Sequence, residues 1–281
     1  MILVADGGST KVAWRVINNG VEYKSVYTEG FNPYLNTVEQ ISEILWKELQ
    51  PFIDTNSIET IYYYGSGCSN ASKNYIVEQP LESVFTKARI HVDHDLMGAA
   101  LSVCGNEEGI ACILGTGSNS CYFDGKNIVD KIFSLGYFFG DEGSGAYLGK
   151  QLISDYLHDL TPGHISLILE NEWKLSKEKV LESVYHNPTP NKFLGSFSRF
   201  LEQKRDDEYV KTLLENAFRL FFKYQVCIYE KHREVPVNFV GSVAFHFQDM
   251  LKSIASELGI TTGSFIQAPI DGLVKYHIEQ G

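Results

Sequence analysis

Two common phosphate-binding signatures are missing from this chain. No G-x-x-x-x-G-K-[ST] occurs: Gly149-Lys150 is followed by Gln151, and the upstream glycine position holds Ser144. No G-x-G-x-x-G is complete, because Gly65-x-Gly67, Gly115-x-Gly117 and Gly143-x-Gly145 all fail at the last position. A P-loop nucleotidase and a dinucleotide-binding dehydrogenase are therefore unsupported. There is no G-x-S-x-G elbow and no H-E-x-x-H, which argues against those hydrolase and metalloprotease types. The five cysteines are odd in number and form no C-x-x-C pair, so they read as reduced, mostly structural thiols. No apolar run is long enough to span a bilayer and no charged-then-apolar leader stands at Met1; the expectation is a cytoplasmic protein with no membrane partner. Basic residues are too few for a nucleic-acid surface: 24 Lys and Arg face 35 Asp and Glu, a formal charge of −11.

What is present suits a soluble α/β enzyme. The chain has 281 residues, enough for one large domain or two of ordinary size, and 44% are hydrophobic, enough for a sizeable core. It opens on the apolar run Ile2-Leu3-Val4-Ala5, read as a buried strand, followed by Asp6-Gly7-Gly8-Ser9-Thr10-Lys11 and a second apolar run from Val12. Glycines let backbone approach a ligand closely, hydroxyls and a lysine add donors, and Asp6 sets a carboxylate beside them. That combination suits a metal–nucleotide complex; taken alone, it also suits an ordinary hairpin with a polar tip. Asn19-Gly20 signals a tight hairpin turn, and Asn32 follows on an irregular Gly-Pro loop, where its spacing alone indicates only a turn.

Thr37 to Phe52 reads as an amphipathic helix with Thr37 as N-cap. A strand ends at Gly65-Ser66-Gly67, a helical segment spans about 74–88, and a short strand, Arg89–Val92, leads into Asp93-His94-Asp95 and a small-residue helix. Asp95 there is either a helix cap or a general base beside a helix N-terminus. A metal cluster of His91, Asp93, His94 and Asp95 is disfavoured, since alternate residues of a strand point to opposite faces.

The opening pattern then recurs roughly a hundred residues on. Strand Ile110–Leu114, turn Gly115-Thr116-Gly117-Ser118-Asn119, strand Ser120–Phe123, turn Asp124-Gly125 and strand Asn127–Ile132 repeat the order of the first half. Two related halves predict two phosphate-type turns facing a common cleft. Gly140-Asp141-Glu142-Gly143-Ser144 runs into a helix, where Asp141 and Glu142 are either ligand-binding acids or ordinary first-turn acids. The stretch 165–230 reads as mostly helical, with Phe193/Phe197/Phe200 and Leu213/Ala217/Leu220/Phe221/Tyr224 as core stripes. Strand Val235–Val240, Gly241-Ser242 and a helix Val243–Leu258 form a place for a nucleotide base or ribose. A last strand near Gly263–Gln267 precedes a helix, Ile270–Glu279.

The set Asp6-Gly-Gly-Ser-Thr-Lys11, Asp95, Gly115-Thr-Gly-Ser-Asn-Ser120, Gly140-Asp-Glu-Gly-Ser144 and Gly241-Ser-Val243 resembles the BadF/BadG/BcrA/BcrD-type ATPases, within them the N-acetylglucosamine kinase branch. The resemblance implies the actin/hexokinase/Hsp70-type α/β fold: two ribonuclease-H-like domains around a central ATP cleft, residues 1–106 with 269–281 and residues 107–268 with a helical insertion. It implies an ATP-dependent kinase acting on the 6-hydroxyl of an N-acetylhexosamine, N-acetylglucosamine or N-acetylmuramic acid. Asp95 matches the catalytic base and Asp6 the acid that holds Mg²⁺. Gly7, Gly8, Ser9, Thr10 and Lys11, with Gly115, Thr116, Gly117 and Ser118, match the two ATP phosphate loops. Gly241 and Ser242 match the adenosine site; Asn32, Ser118, Asn119 and Asp141 match contacts to a small-molecule amino sugar. Ser134-Leu135-Gly136-Tyr137 departs from mammalian-type members, which carry a tryptophan here, so the resemblance implies a different wall to the sugar pocket. The aromatic helices leave room for a homodimer surface. Two alternatives share the family fold: an activator ATPase of a 2-hydroxyacyl-CoA dehydratase system, which needs cysteines for an iron–sulfur cluster, and a catalytically silent regulatory module that binds ATP or sugar.

Overall fold

The strand Ile2–Gly7 (β1) is apolar on both faces, and it lies at the centre of a sheet because only there are both faces covered. It pairs antiparallel with Lys11–Asn18 (β2), which pairs antiparallel with the edge strand Val21–Glu29 (β3). On its other side β1 runs parallel to Thr60–Gly65 (β4), and β4 parallel to Arg89–His94 (β5). The sheet order is thus β3-β2-β1-β4-β5. Parallel neighbours need crossovers, and helical chain supplies them: Val38–Ile44 and its continuation before β4, then Ala71–Val84 before β5. The computed structural model describes residues 1–8, 10–187 and 189–280.

The second sheet repeats this wiring. Glu108–Leu114 (β6) pairs antiparallel with Ser118–Asp124 (β7), which pairs antiparallel with Ile128–Lys131 (β8). On the other side β6 runs parallel to Val237–Val240 (β9), and β9 to Thr262–Ile266 (β10). The order β10-β9-β6-β7-β8 is the first sheet's order with each strand replaced by its counterpart. The α/β fold is therefore two ribonuclease-H-like units. One comprises Met1–Glu107 and the segment from Ala268 onward; the other is Glu108–Gln267. They differ in the crossover that follows the hairpin strands. It is short in the first unit, whereas the second carries a helical insertion from Gly136 to Val226.

Local chemistry accounts for the elements that carry the site. Asn19 and Gly20 both adopt positive φ (49° and 73°), the backbone that closes a two-residue hairpin with the right twist. Thr37 caps its helix in a reciprocal box with Gln40. Pro269 opens the C-terminal helix Pro269–Glu279, which crosses helix Asp95–Cys104 where a side chain on Gly272 would collide with Ser102.

Two helical readings need correction. Tyr224 is 46% exposed instead of continuing the core stripe, because a π turn over Phe222–Val226 adds a residue per turn and brings Phe222, Gln225 and Val226 inward. The helix expected over Val243–Leu258 is two pieces, Ser242–His246 and Gln248–Glu257. Phe247 leaves the helical conformation between them and packs in the core against Phe218, ring centroids 5.6 Å apart. Four of the five cysteines are buried. Among the described residues no helix is long and apolar enough to cross a membrane.

Candidate functional site

In the first unit β1, β4 and β5 run parallel, with Gly7 beside Gly65 and Gly65 beside His94. Their carboxyl ends therefore lie side by side, the usual position for ligands in open α/β sheets. Asp6 stands on β1, Ser66 just past β4, and Asp95 is the first residue of the helix after β5. The cap of that helix is His94, whose Nδ1 accepts from the Met97 N–H at 3.0 Å, so Asp95 is released from capping. Its Oδ1 accepts from the Leu96 N–H at 2.8 Å and its Oδ2 from the Ser66 hydroxyl at 3.1 Å. The helix N-terminus favours a negative charge at that point. Burial pushes the Asp6 carboxyl up to about 7, the Asp95 charge adds to this, and Lys11 and Arg15 oppose it. A buried carboxylate beside a second carboxylate is relieved by a cation, so these two oxygen donors fit Mg²⁺. Among the described residues no larger group of His, Cys, Asp and Glu gathers as a metal cluster.

The turn after β1 is held down at Gly30, where a side chain would sit 2.3 Å from both the Gly8 carbonyl and the Lys11 nitrogen. The Gly8 N–H donates to the Lys11 carbonyl at 3.0 Å, closing the turn, and the Lys11 ammonium lies 4.5 Å over the Tyr27 ring. Thr10 accepts at its carbonyl from the Gly30 N–H; Ser9 lies outside the described residues. Asn32 is brought against Gly67, where a side chain would collide with its Oδ1 at 2.4 Å. That oxygen also accepts from the Tyr34 N–H, and the Lys73 ammonium donates to the Pro33 carbonyl, so the loop is tied to the neighbouring helix.

Two residues escaped the sequence reading. Ser66 was seen only as part of a strand ending, although Gly-Ser-Gly at such an ending was the available signal. Tyr63 was seen only as strand. Its ring stacks on Phe31 at 5.5 Å and lies directly beneath Gly7 and Gly65, so both positions must be glycine. Its buried hydroxyl has no partner among the described residues.

The second unit builds a comparable place from corresponding strands. The Gly115–Ser118 turn sits on the start of helix Gly145–Leu157: the Gly145 N–H donates to the Gly115 carbonyl at 2.8 Å, and the Ala146 N–H to the Thr116 carbonyl at 3.0 Å. Ser144 caps this helix through Tyr147 N–H. A Cβ on Gly115 would meet nothing within 4 Å, so one side of the turn is open to a ligand. Asp141, in the left-handed region at φ 57°, brings its carboxylate against Gly117. Burial raises its pKa, and a hydrogen bond from the Ser118 N–H offsets part of the rise. The Ser118 hydroxyl is buried without a partner among the described residues, while Asn119 Oδ1 accepts from the Ser120 N–H. Gly241, at φ 124°, packs so closely on the Leu114 carbonyl that a Cβ would lie 2.4 Å away, and this joins Ser242 to the Gly115 turn. The fold thus gathers Asp6, Asn32, Ser66 and Asp95 in one unit, and Gly115–Ser118, Asp141, Gly241 and Ser242 in the other.

No family model matches the chain. Among curated proteins, the N-acetylmuramic acid/N-acetylglucosamine kinase of Clostridium acetobutylicum is 26% identical over 264 residues, covering 86% of this chain and 85% of that one. Among solved structures, a Porphyromonas gingivalis protein provisionally named an N-acetylglucosamine kinase is 40% identical, with a TM-score of 0.95 over 99% of both chains. A ROK-family glucokinase from Streptomyces griseus, solved with glucose and AMPPNP, is 12% identical with a TM-score of 0.58 over 99% of this chain and 100% of that chain; it shares the fold alone.

Proposed function

Because this chain belongs to the N-acetylglucosamine kinase branch of the BadF/BadG/BcrA/BcrD-type ATPases, we propose that it transfers the γ-phosphoryl group of ATP to the 6-hydroxyl of an N-acetylhexosamine. The observation that carries the chemistry is Asp95. It is released from capping by His94, aimed by Ser66 and placed at a helix N-terminus beside Asp6. Held there, the carboxylate accepts the proton of the attacking hydroxyl as the O–P bond forms. Gly7, Gly8, Thr10 and Lys11 in one unit and Gly115–Ser118 in the other offer backbone and side-chain donors to the phosphates; Ser9, outside the described residues, is assigned to the first set by its place in the motif. Asp6 would hold Mg²⁺, which would supply neutralisation of the phosphate charge. Asn32, Ser118, Asn119 and Asp141 are the proposed sugar contacts, with the unpaired Ser118 hydroxyl and the buried Asp141 carboxylate suited to sugar hydroxyls.

Two N-acetylated sugars stand as substrates, N-acetylglucosamine and N-acetylmuramic acid, the pair named for the Clostridium relative. The activator-ATPase alternative finds no supporting observation: four of the five cysteines are buried, away from any surface where a cluster could be shared. The silent regulatory module is not favoured by any observation either: Asp95 is held by Ser66 and Asp6 is buried near its charge, as the kinase reading requires. The test is ADP release with Mg-ATP against N-acetylglucosamine, N-acetylmuramic acid, N-acetylmannosamine, glucosamine and glucose. Release that depends on an N-acetylated sugar supports the kinase and names its substrate; ATP binding with no sugar-dependent release would discard it. In the Asp95→Asn variant, turnover should fall by about 10²–10⁴-fold with ATP affinity retained, and near-wild-type turnover would remove Asp95 from the mechanism.

A further inference from the structure

Beside the Gly241-Ser242 turn, the second unit contains a cavity of about 330 Å³. It opens between helix Ser198–Gln203 and the short helix Ser242–His246 with the following Phe247. Val243 and Phe247, both buried, supply its apolar floor; Arg199, Glu202 and His246 supply a polar rim. A flat apolar body with hydroxyls along one edge matches such a lining, and a nucleoside has that form. Gly241 links the cavity to the Gly115–Ser118 turn, because its backbone rests on Leu114 and Gly115. A nucleoside seated here would direct its phosphates toward that turn.

Glu202 is the distinctive group on the rim. His246 Nδ1 lies 2.8 Å from its Oε1, which fixes the carboxylate in place, and Oε2 has no partner among the described residues. An ionised carboxylate only accepts hydrogen bonds, and the 2′- and 3′-hydroxyls of a ribose are adjacent donors that suit it. Resting on the reading of Gly241-Ser242 as the adenosine site, we propose that Glu202 recognises the ribose of the bound nucleotide and that His246 is its positioning residue. Arg199, with no ion pair among the described residues, covers the base.

Equilibrium binding of Mg-ATP and Mg-2′-deoxy-ATP to the full chain tests this directly. The wild type should hold ATP about tenfold more tightly than the deoxy analogue, the scale of one hydrogen bond to a charged group. Glu202→Ala should bind both nucleotides equally, at the level of the deoxy analogue. Glu202→Gln, whose amide oxygen still accepts, should keep part of the preference, and His246→Ala should reduce it, with His246→Gln restoring it. Arg199→Ala should weaken both nucleotides alike and leave the ratio unchanged. A wild type without ribose preference, or a Glu202→Ala variant that retains the full preference, overturns the assignment. Sugar-dependent ADP release, measured on the same preparations, judges the kinase reading separately: a normal kinase with an unchanged ratio defeats only the role of Glu202.

Discussion

Asp6 is a residue the fold would be more stable without. Its carboxyl ordinarily titrates at 3.8 and is pushed up to about 7, mainly by burial and then by Asp95. Below pH 3.8 both the folded and unfolded chains carry the neutral acid, and there is no penalty. As the pH rises from 3.8 toward 7 the unfolded chain ionises first, so stability falls; above about 7 the penalty is complete. Allowing for partial exposure of the side chain, the cost is roughly 2–4 kcal/mol. Asp6→Asn should therefore raise the melting temperature at pH 8 in the absence of divalent cations, and the gain should vanish near pH 4. Melting curves of the two proteins across that range are the check; a destabilised variant at pH 8 would mean that Asp6 is already satisfied by its neighbours. A residue kept at such a cost is expected where a bound cation offsets it. Asp6 and Asp95 were legible in the sequence because Asp6 follows an apolar run at a Gly-rich turn and Asp95 stands where a short strand gives way to a small-residue helix. Ser66 was not, since its bond to Asp95 spans 29 residues and depends on the register of β4 against β5.

Among the elements, the C-terminal helix Pro269–Glu279 shows how a distant segment is locked onto the first sheet. His277 is buried, stacked on Tyr62 at 4.0 Å, with its Nε2 hydrogen-bonded to the Tyr64 hydroxyl at 3.1 Å. Asp271 on the same helix lies 3.9 Å from buried Arg15. Burial, with His91 nearby, pulls the His277 pKa down from 6.5 to about 4. The folded chain thus keeps a neutral ring where the unfolded chain would protonate. Stability from this group is full above pH 6.5 and is lost progressively as the pH falls from 6.5 to 4, by roughly 3 kcal/mol in all. His277→Gln, which keeps an acceptor for Tyr64 but cannot charge, should show a flatter loss of melting temperature between pH 7 and pH 4.5. Parallel curves for the two proteins would show that acid sensitivity arises elsewhere.

At the scale of the molecule, the chain is one architecture used twice, with the second copy enlarged by helices between its hairpin strands and β9. Each copy places a Gly-rich turn between its first two strands, so the nucleotide contacts proposed there would be held by the paired strands on either side. A ligand bound only by the folded chain stabilises it by mass action, about 2.7 kcal/mol at a hundred times its dissociation constant. Mg-ATP should accordingly raise the melting temperature by several degrees in a concentration-dependent way. A titration to saturation with no shift would argue against nucleotide binding at these turns.

Much of this was determined by the sequence alone, because it rests on neighbours a few residues apart. The apolar runs made β1 and β6 central strands, Asn19-Gly20 closed the β2–β3 hairpin and Gly125 turned β7 toward β8, Thr37 and Pro269 opened helices, and the repeated order exposed the duplication. What tertiary structure decided are the contacts whose partners are far apart in the chain. These include Ser66 on Asp95, Asn32 against Gly67, Tyr63 beneath Gly7, Asp141 against Gly117 and His246 on Glu202. The physical reason is that a periodic pattern specifies which face of an element is buried, whereas the reach of one side chain to another is set by strand register and helix crossing. A π turn that moved Tyr224 outward, or a core phenylalanine that split a helix, leaves the periodicity of the sequence almost unchanged and still redirects every side chain beyond it.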